Sequence, residues 1–189
     1  MDVTKGASIS ITNPGTIEDY LGIGLVPQKG LPMVLVPTTS GTGSEATMAA
    51  IFTVKNMKQG VFDPNIYSDV AIVDPSLTVS MPPKVTAATG MDALCHSLEC
   101  YTALSATPIS DFIAREGITL VSKSLRNAVF NGKDIEARSD MALGSFLGGL
   151  CLTNASVTSV HALSFPLGAD YHIPHGMANA VMLPYVIRY

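Results

Sequence analysis

Charge is scarce in this 189-residue chain. Only 14% of its residues are Asp, Glu, Lys or Arg, against about a quarter in an average soluble domain. The 11 Lys and Arg are outnumbered by 15 Asp and Glu, for a formal net charge of -4. They form no basic run, which argues against nucleic acid or an anionic membrane surface as a partner. Long apolar runs are missing too. The longest uncharged stretch, 141–169, is apolar only from Ala142 to Leu152 before Thr153, Asn154, Ser156, Thr158, Ser159 and His161 intervene. A membrane-spanning helix needs about 20 mostly apolar residues, so a buried helix is expected there instead. The N-terminal residues Met1-Asp2-Val3-Thr4-Lys5 carry an early acid and lack the apolar segment of a signal peptide. Cysteine is limited to Cys95, Cys100 and Cys151, an odd number with no C-x-x-C. Reduced, buried thiols in a cytoplasmic compartment are expected. Intrinsic disorder is excluded by the 47% apolar content.

What remains has a clear order. Residues 31–37, Leu-Pro-Met-Val-Leu-Val-Pro, are a short apolar run between prolines and predict a buried strand. A loop rich in glycine and hydroxyls follows, Thr38-Thr39-Ser40-Gly41-Thr42-Gly43-Ser44-Glu45. Residues 49–54 and 70–73 predict further strands, and Asp74-Pro75 a turn. Beyond Met81-Pro82-Pro83 the apolar spacing is helical, over 84–104, 108–130 and 134–152. Gly144 and Gly148, four apart on the last of these, would let two helices approach closely. The reading is therefore an α/β part over 1–82 followed by an all-α part over 83–189.

Three constellations could carry chemistry. Asp92 and His96 lie four apart and share a helix face. A carboxylate and an imidazole so placed can chelate one metal ion, the competing reading being a surface hydrogen bond. The chain has only four histidines, His96, His161, His172 and His175, all in two charge-poor segments, 90–96 and 161–176. Burying several unpaired imidazoles is costly, and one divalent ion would satisfy several at once. An Asp and His donor set suits Fe(II) or Zn(II), with nickel and manganese also open. Third, Gly41-x-Gly43-x-x-Ala46 matches a relaxed dinucleotide fingerprint, with Asp63 twenty residues beyond Gly43. Its competing reading is a capped helix start at Thr42 or Ser44.

Together these segments resemble the iron-containing (group III) alcohol dehydrogenase family, in the dehydroquinate synthase-like superfamily. The resemblance rests on Pro37-Thr-Thr-Ser-Gly-Thr-Gly-Ser-Glu45, Val70-Ala-Ile-Val-Asp-Pro75, Ala88-Thr-Gly-Met-Asp-Ala-Leu-Cys-His96, and Val160-His161 through His175-Gly176. It implies that Asp92, His96, His161 and His175 are ligands of Fe(II), with Zn(II) as the alternative. It further implies that Thr38, Thr39, Gly41, Thr42 and Lys58 contact an NAD or NADP cofactor. Asp2 matches the last residue of the family's pyrophosphate loop, so 1–82 reads as part of a dinucleotide-binding domain and the chain as a piece of a longer protein. The implied reaction interconverts a small alcohol and its aldehyde or ketone by hydride transfer to or from NAD(P). A maleylacetate-reductase-like or polyol dehydrogenase activity, or a non-catalytic metal-binding fragment, is the alternative. Many relatives carry a further histidine where Phe165 stands, so His172 is the candidate for handling the proton, against a plain helix-cap or core role. A homodimer of the full-length protein is expected.

Overall fold

The computed structural model describes residues 1–55 and 57–189. Within them the chain divides into two compact units. One comprises Met1–Val36 and Ser44–Ile72, the other Pro37–Gly43 and Val73–Tyr189.

The first unit holds a helix, α1 (Asp2–Thr12), and five strands. These are β1 (Gly22–Ile23), β2 (Val34–Leu35), β3 (Ala49–Val54), β4 (Met57–Phe62) and β5 (Val70–Ala71). β3 and β4 form an antiparallel hairpin, and β1 joins β4 in parallel. β2 and β5 pair in parallel as a separate ribbon. The core is Ile9, Tyr20, Val26, Ala50, Val61 and Ile66. The most unusual buried group is Lys5. Its ammonium donates to the carbonyls of Ser44 (2.7 Å), Thr47 (2.8 Å) and Ala49 (2.9 Å), and to the Thr47 hydroxyl (3.1 Å). A lysine with no water around it is tolerated because carbonyl oxygens replace that water. Burial, opposed by nearby Asp2 and Glu45, still pulls its pKa down to about 8.

Two expectations need correction here. The buried strand read over 31–37 contracts to two residues, with Val34 and Val36 outward and Met33 and Leu35 inward. An apolar run looks the same whether one face or two are covered. Residues 70–73 shorten likewise to Val70–Ala71, since β2 offers only a two-residue partner.

The second unit contains five helices: α2 (Pro83–Thr102), α3 (Pro108–Phe130), α4 (Ile135–Ala155), α5 (Ser159–Tyr171) and α6 (His175–Arg188). Each boundary has a local cause. Asp74 caps a 3₁₀ turn over Pro75–Thr78 by accepting the Ser76 N–H. Pro83 and Pro108 sit in the first turns of α2 and α3, where a missing N–H costs nothing. Thr107 and Ser110 form a reciprocal capping box, and Asp134 caps α4. Sequence spacing located α3 at its observed bounds, and α2 and α4 within a few residues.

Small residues let these helices close up. Gly144 on α4 faces Val121 and Gly117 of α3, and Gly148 faces His96 and Ala93 of α2. Ala93, Val121, Ala128, Ala137 and Met141 form one core, and Cys100, Ala114, Cys151 and Ala155 another. Arg138 is fully buried and ties the bundle's end together, donating to the Gly132 and Met81 carbonyls and the Thr86 hydroxyl. No single helix among the described residues is long and apolar enough to cross a membrane; only the bent pair α4 and α5, at 107°, passes by length and composition.

Candidate metal centre

Three helices bring the predicted ligands together. Asp92 and His96 are one turn apart on the inner face of α2, both buried. His161 is the third residue of α5 and is buried. His175 opens α6 immediately after Pro174. Its neighbour Gly176 explains how α6 gets close enough. A Cβ there would press into the Ala88 backbone of α2, coming 3.4 Å from its Cα and nearer still to its carbonyl. The His-Gly pair thus places a candidate ligand and removes the obstacle beside it.

Asp92 Oδ1 is the hub. The Nε2 atoms of His175, His161 and His96 lie 3.5, 3.6 and 3.8 Å from it. These separations are too long for hydrogen bonds. They match the edge of a tetrahedron, since two ligands each about 2.1 Å from a four-coordinate ion stand about 3.4 Å apart. The donor atoms of Asp92, His96 and His161 all fall within 4.8 Å of one another. The His96 and His161 rings stack at 4.8 Å, and the His175 ring meets His161 edge-on at 5.1 Å. Three imidazole nitrogens and one carboxylate oxygen, converging and mostly dry, fit a borderline divalent ion.

Two further residues hold the ligands, and sequence reading missed both. Asn179, one turn after His175 and fully buried, donates its amide to Asp92 Oδ1 at 2.7 Å. The same nitrogen lies 3.1 Å from His161 Nε2 and 3.4 Å from His175 Nε2. It therefore sits among the ring nitrogens an ion would use. Glu99, buried on α2, takes the other side of His161, accepting a short hydrogen bond from Nδ1. Its spacing was available: Glu99 is three residues after His96 and seven after Asp92, hence on their face.

The electrostatics follow from this packing. Burial alone would raise Asp92, but His96, His161 and His175 hold its carboxyl well below the usual carboxylate range. Burial pushes His96 down, towards the neutral ring, against the pull of Asp92. Burial acts the same way on His161 but is outweighed by the attraction of Asp92 and by the hydrogen bond and charge of Glu99, which lift it to about 9. In the metal-free site His161 is thus the imidazole that carries a proton between two carboxylates.

The other predicted residues fall elsewhere. In the second unit, Thr38, Thr39 and Thr42 are exposed, while Gly41 and Gly43, on either side of Thr42, are buried. The glycines dock this loop: Gly41 lies against Thr89 of α2, and Gly43, at φ 58°, against Ser145 and Gly149 of α4. In the first unit, Asp2 begins α1 and accepts from the Ser44 hydroxyl at 3.3 Å. Lys58 is exposed on β4, opposite Thr53. His172 is the exposed left-handed cap of α5, at φ 55°. Phe165 stacks on the His175 ring, centroids 6.0 Å apart. The dinucleotide fingerprint fails in structure. Only a three-residue 3₁₀ turn, Ser44–Ala46, follows the glycines, so neither the fingerprint's helix nor a capped α-helix start exists there. Asp63 is buried and accepts the N–H groups of Val26 and Asn65, so it is not free to read a ribose.

Comparison with known proteins finds relatives along the whole chain. The profile for the C-terminal part of the Fe-containing alcohol dehydrogenase family matches residues 86–189, and that for iron-containing alcohol dehydrogenase matches residues 1–75. Long-chain-alcohol dehydrogenase 1 of Geobacillus thermodenitrificans is 51% identical over all of this chain and 49% of its own length. The crystal structure of a 1,3-propanediol oxidoreductase superposes with a TM-score of 0.97 at 40% identity, covering 100% of this chain and 50% of that one. A sulfoacetaldehyde reductase from Bifidobacterium kashiwanohense, solved with NAD+, gives 0.93 at 42%, covering 99% and 50%. The chain spans about half the length of the curated relatives it matches. With profiles meeting both of its units, the chain belongs to the iron-containing alcohol dehydrogenase family.

Proposed function

We propose that the full-length protein is a metal-dependent oxidoreductase that interconverts alcohols with aldehydes or ketones, using NAD or NADP. The observation that carries this reading is the convergence of three imidazole Nε2 atoms on Asp92 Oδ1 at tetrahedral-edge spacing. Asp92, His96, His161 and His175 would hold Fe(II), or Zn(II). An ion there supplies Lewis acidity towards an alcohol or carbonyl oxygen, and the nicotinamide supplies the hydride chemistry.

The chain's own residues do the rest. Asp92 contributes the one formal negative charge in the ligand set, and Glu99 and Asn179 fix the angles of the donors around it. Buried walls at Asp92, His96 and His161 exclude water and keep those interactions strong. His175, whose side chain is 30% exposed, marks the open side by which substrate reaches the centre. The exposed hydroxyls of Thr38, Thr39 and Thr42, the backbone of Gly41, and Asp2 and Lys58 are proposed cofactor contacts, on the family resemblance. His172, exposed at the end of α5, is the proposed proton-handling residue. Three free, buried thiols fit a cytoplasmic compartment. The net charge of -4 disfavours nucleic acid or an anionic membrane surface as partner, and a homodimer acting on small molecules is proposed on the family resemblance alone.

The test is elemental analysis of the full-length protein with an aldehyde-reduction assay. One divalent ion per chain is expected, together with NADH- or NADPH-dependent turnover that a chelator stops. His161→Ala should lose the stoichiometric metal. Undiminished turnover in a metal-free preparation would refute the reading.

A further inference from the structure

The cluster around Glu99 carries more than the ligand set does. One of its oxygens, Oε1, accepts from the backbone N–H groups of Thr158 (2.8 Å), Val160 (2.8 Å) and His161 (3.4 Å), and from the Thr158 hydroxyl (3.0 Å). These backbone donors belong to the first turn of α5, where a helix leaves its N–H groups without partners. The capping position, Thr158, gives α5 no side-chain cap of its own. A carboxylate on another helix does that work. The second oxygen, Oε2, accepts the His161 Nδ1–H.

We infer that Glu99 is a positioning residue that locks the first turn of α5 to the metal centre and fixes His161 with its hydrogen on Nδ1, so that Nε2 presents a lone pair to the ion. This deepens, and rests on, the metal-centre reading above. A neutral imidazole carries one hydrogen and can place it on either nitrogen. An acceptor-only carboxylate at Nδ1 decides the choice, and such outer partners typically set metal affinity by 10- to 100-fold. Beyond the packing of Val160, Glu99 is the group that satisfies the free N–H donors at the helix start. Only Val160, His161 and Ser164 of α5 are buried, Pro166 interrupts its hydrogen-bond ladder, and Ser156 just before it takes a positive φ of 66°.

Glu99→Gln separates the two roles. The amide keeps the shape, and its oxygen can still accept the three backbone N–H groups. Reversing it would set an NH₂ against those donors. The NH₂ therefore faces Nδ1, forces that nitrogen to accept, and moves the ring hydrogen to Nε2, where it blocks the ion. Glu99→Ala removes both roles.

The experiment uses full-length protein stripped of metal. Zn(II) and Fe(II) are titrated against a competing chelator, and hydrogen exchange is followed over residues 159–164. Glu99→Gln should bind either ion 10- to 100-fold more weakly while keeping α5 protection. Glu99→Ala should lose at least as much affinity and the protection as well. Binding by Glu99→Gln within threefold of the unaltered protein would overturn the tautomer assignment, as would loss of α5 protection in that variant. Intact protection in Glu99→Ala would overturn the helix-locking role. If Glu99→Ala fails to fold, Glu99→Gln still decides. An unaltered protein that binds no stoichiometric ion would bring down the metal-centre reading, and this inference with it.

Discussion

Gly43 and Gly149 meet backbone to backbone. A Cβ on Gly43 would lie 2.7 Å from the Gly149 nitrogen, and one on Gly149 would lie 2.8 Å from the Gly43 Cα. Neither side chain could yield, because none is there. The contact seats the hydroxyl-bearing loop on α4. Gly149→Ala should lift that loop, costing about 1–3 kcal/mol of stability through overpacking. The expected kinetic signature is a roughly tenfold rise in KM for the nicotinamide cofactor, about 1.4 kcal/mol of binding, with metal content unchanged. Initial-rate kinetics and elemental analysis on the full-length variant check it.

Lys5 makes a stability prediction with a sign. Its folded pKa of about 8 lies below the ordinary 10.5, so between those values the unfolded chain holds more protons. Stability contributed at this site therefore rises as pH climbs from 8 to 10.5, by at most about 1.4 kcal/mol per unit. Lys5→Met abolishes the titration and strands several carbonyls, at a cost on the order of 2 kcal/mol. Urea unfolding at pH 8 and 9.5 should show the gap between unaltered protein and variant widening at the higher pH. A constant gap would contradict the assignment.

Metal uptake should release a proton. In the ion-free site His161 is protonated below about pH 9, and an ion at Nε2 must displace that hydrogen. Apparent affinity should then weaken about tenfold for each unit by which pH falls below 9. Chelator competition at pH 8 and pH 7 measures the slope directly.

His172 can be separated into a chemical and a conformational role. At φ 55° alanine is strained, whereas asparagine tolerates the left-handed region. A proton-handling role predicts that His172→Ala and His172→Asn both lower kcat and reshape its pH profile, with metal retained. A pure cap predicts a loss of about 1 kcal/mol for Ala, rescue by Asn, and an unchanged profile.

The helical half was legible because its signals are local: prolines, capping residues and 3.6-residue spacing mark α2, α3 and α4. The candidate ligands drew attention because histidine is rare here and confined to two segments. The α/β half was less so, since β2 and β5 owe their length to each other and an apolar run does not reveal its partner. Glu99 and Asn179 were missed for another reason. Each looks like an ordinary polar residue on a helix, and its role exists only once α5 or α6 arrives. The Gly41-Gly43 fingerprint was ambiguous because glycines that dock a loop on helices look the same in sequence as those of a phosphate turn.

The order of the ligands along the chain has a consequence for biosynthesis. On the proposed ligand set, Asp92 and His96 would form a half-site on one helix, while His161 lies 65 residues further on and His175 another 14. At roughly 5–20 residues per second of ribosomal synthesis, the half-site waits several seconds for its completion. Two donors bind an ion loosely and exchange it freely. The identity of the resident metal is therefore settled after the last histidine has emerged, by the ions then available to the closing bundle and not by those met first.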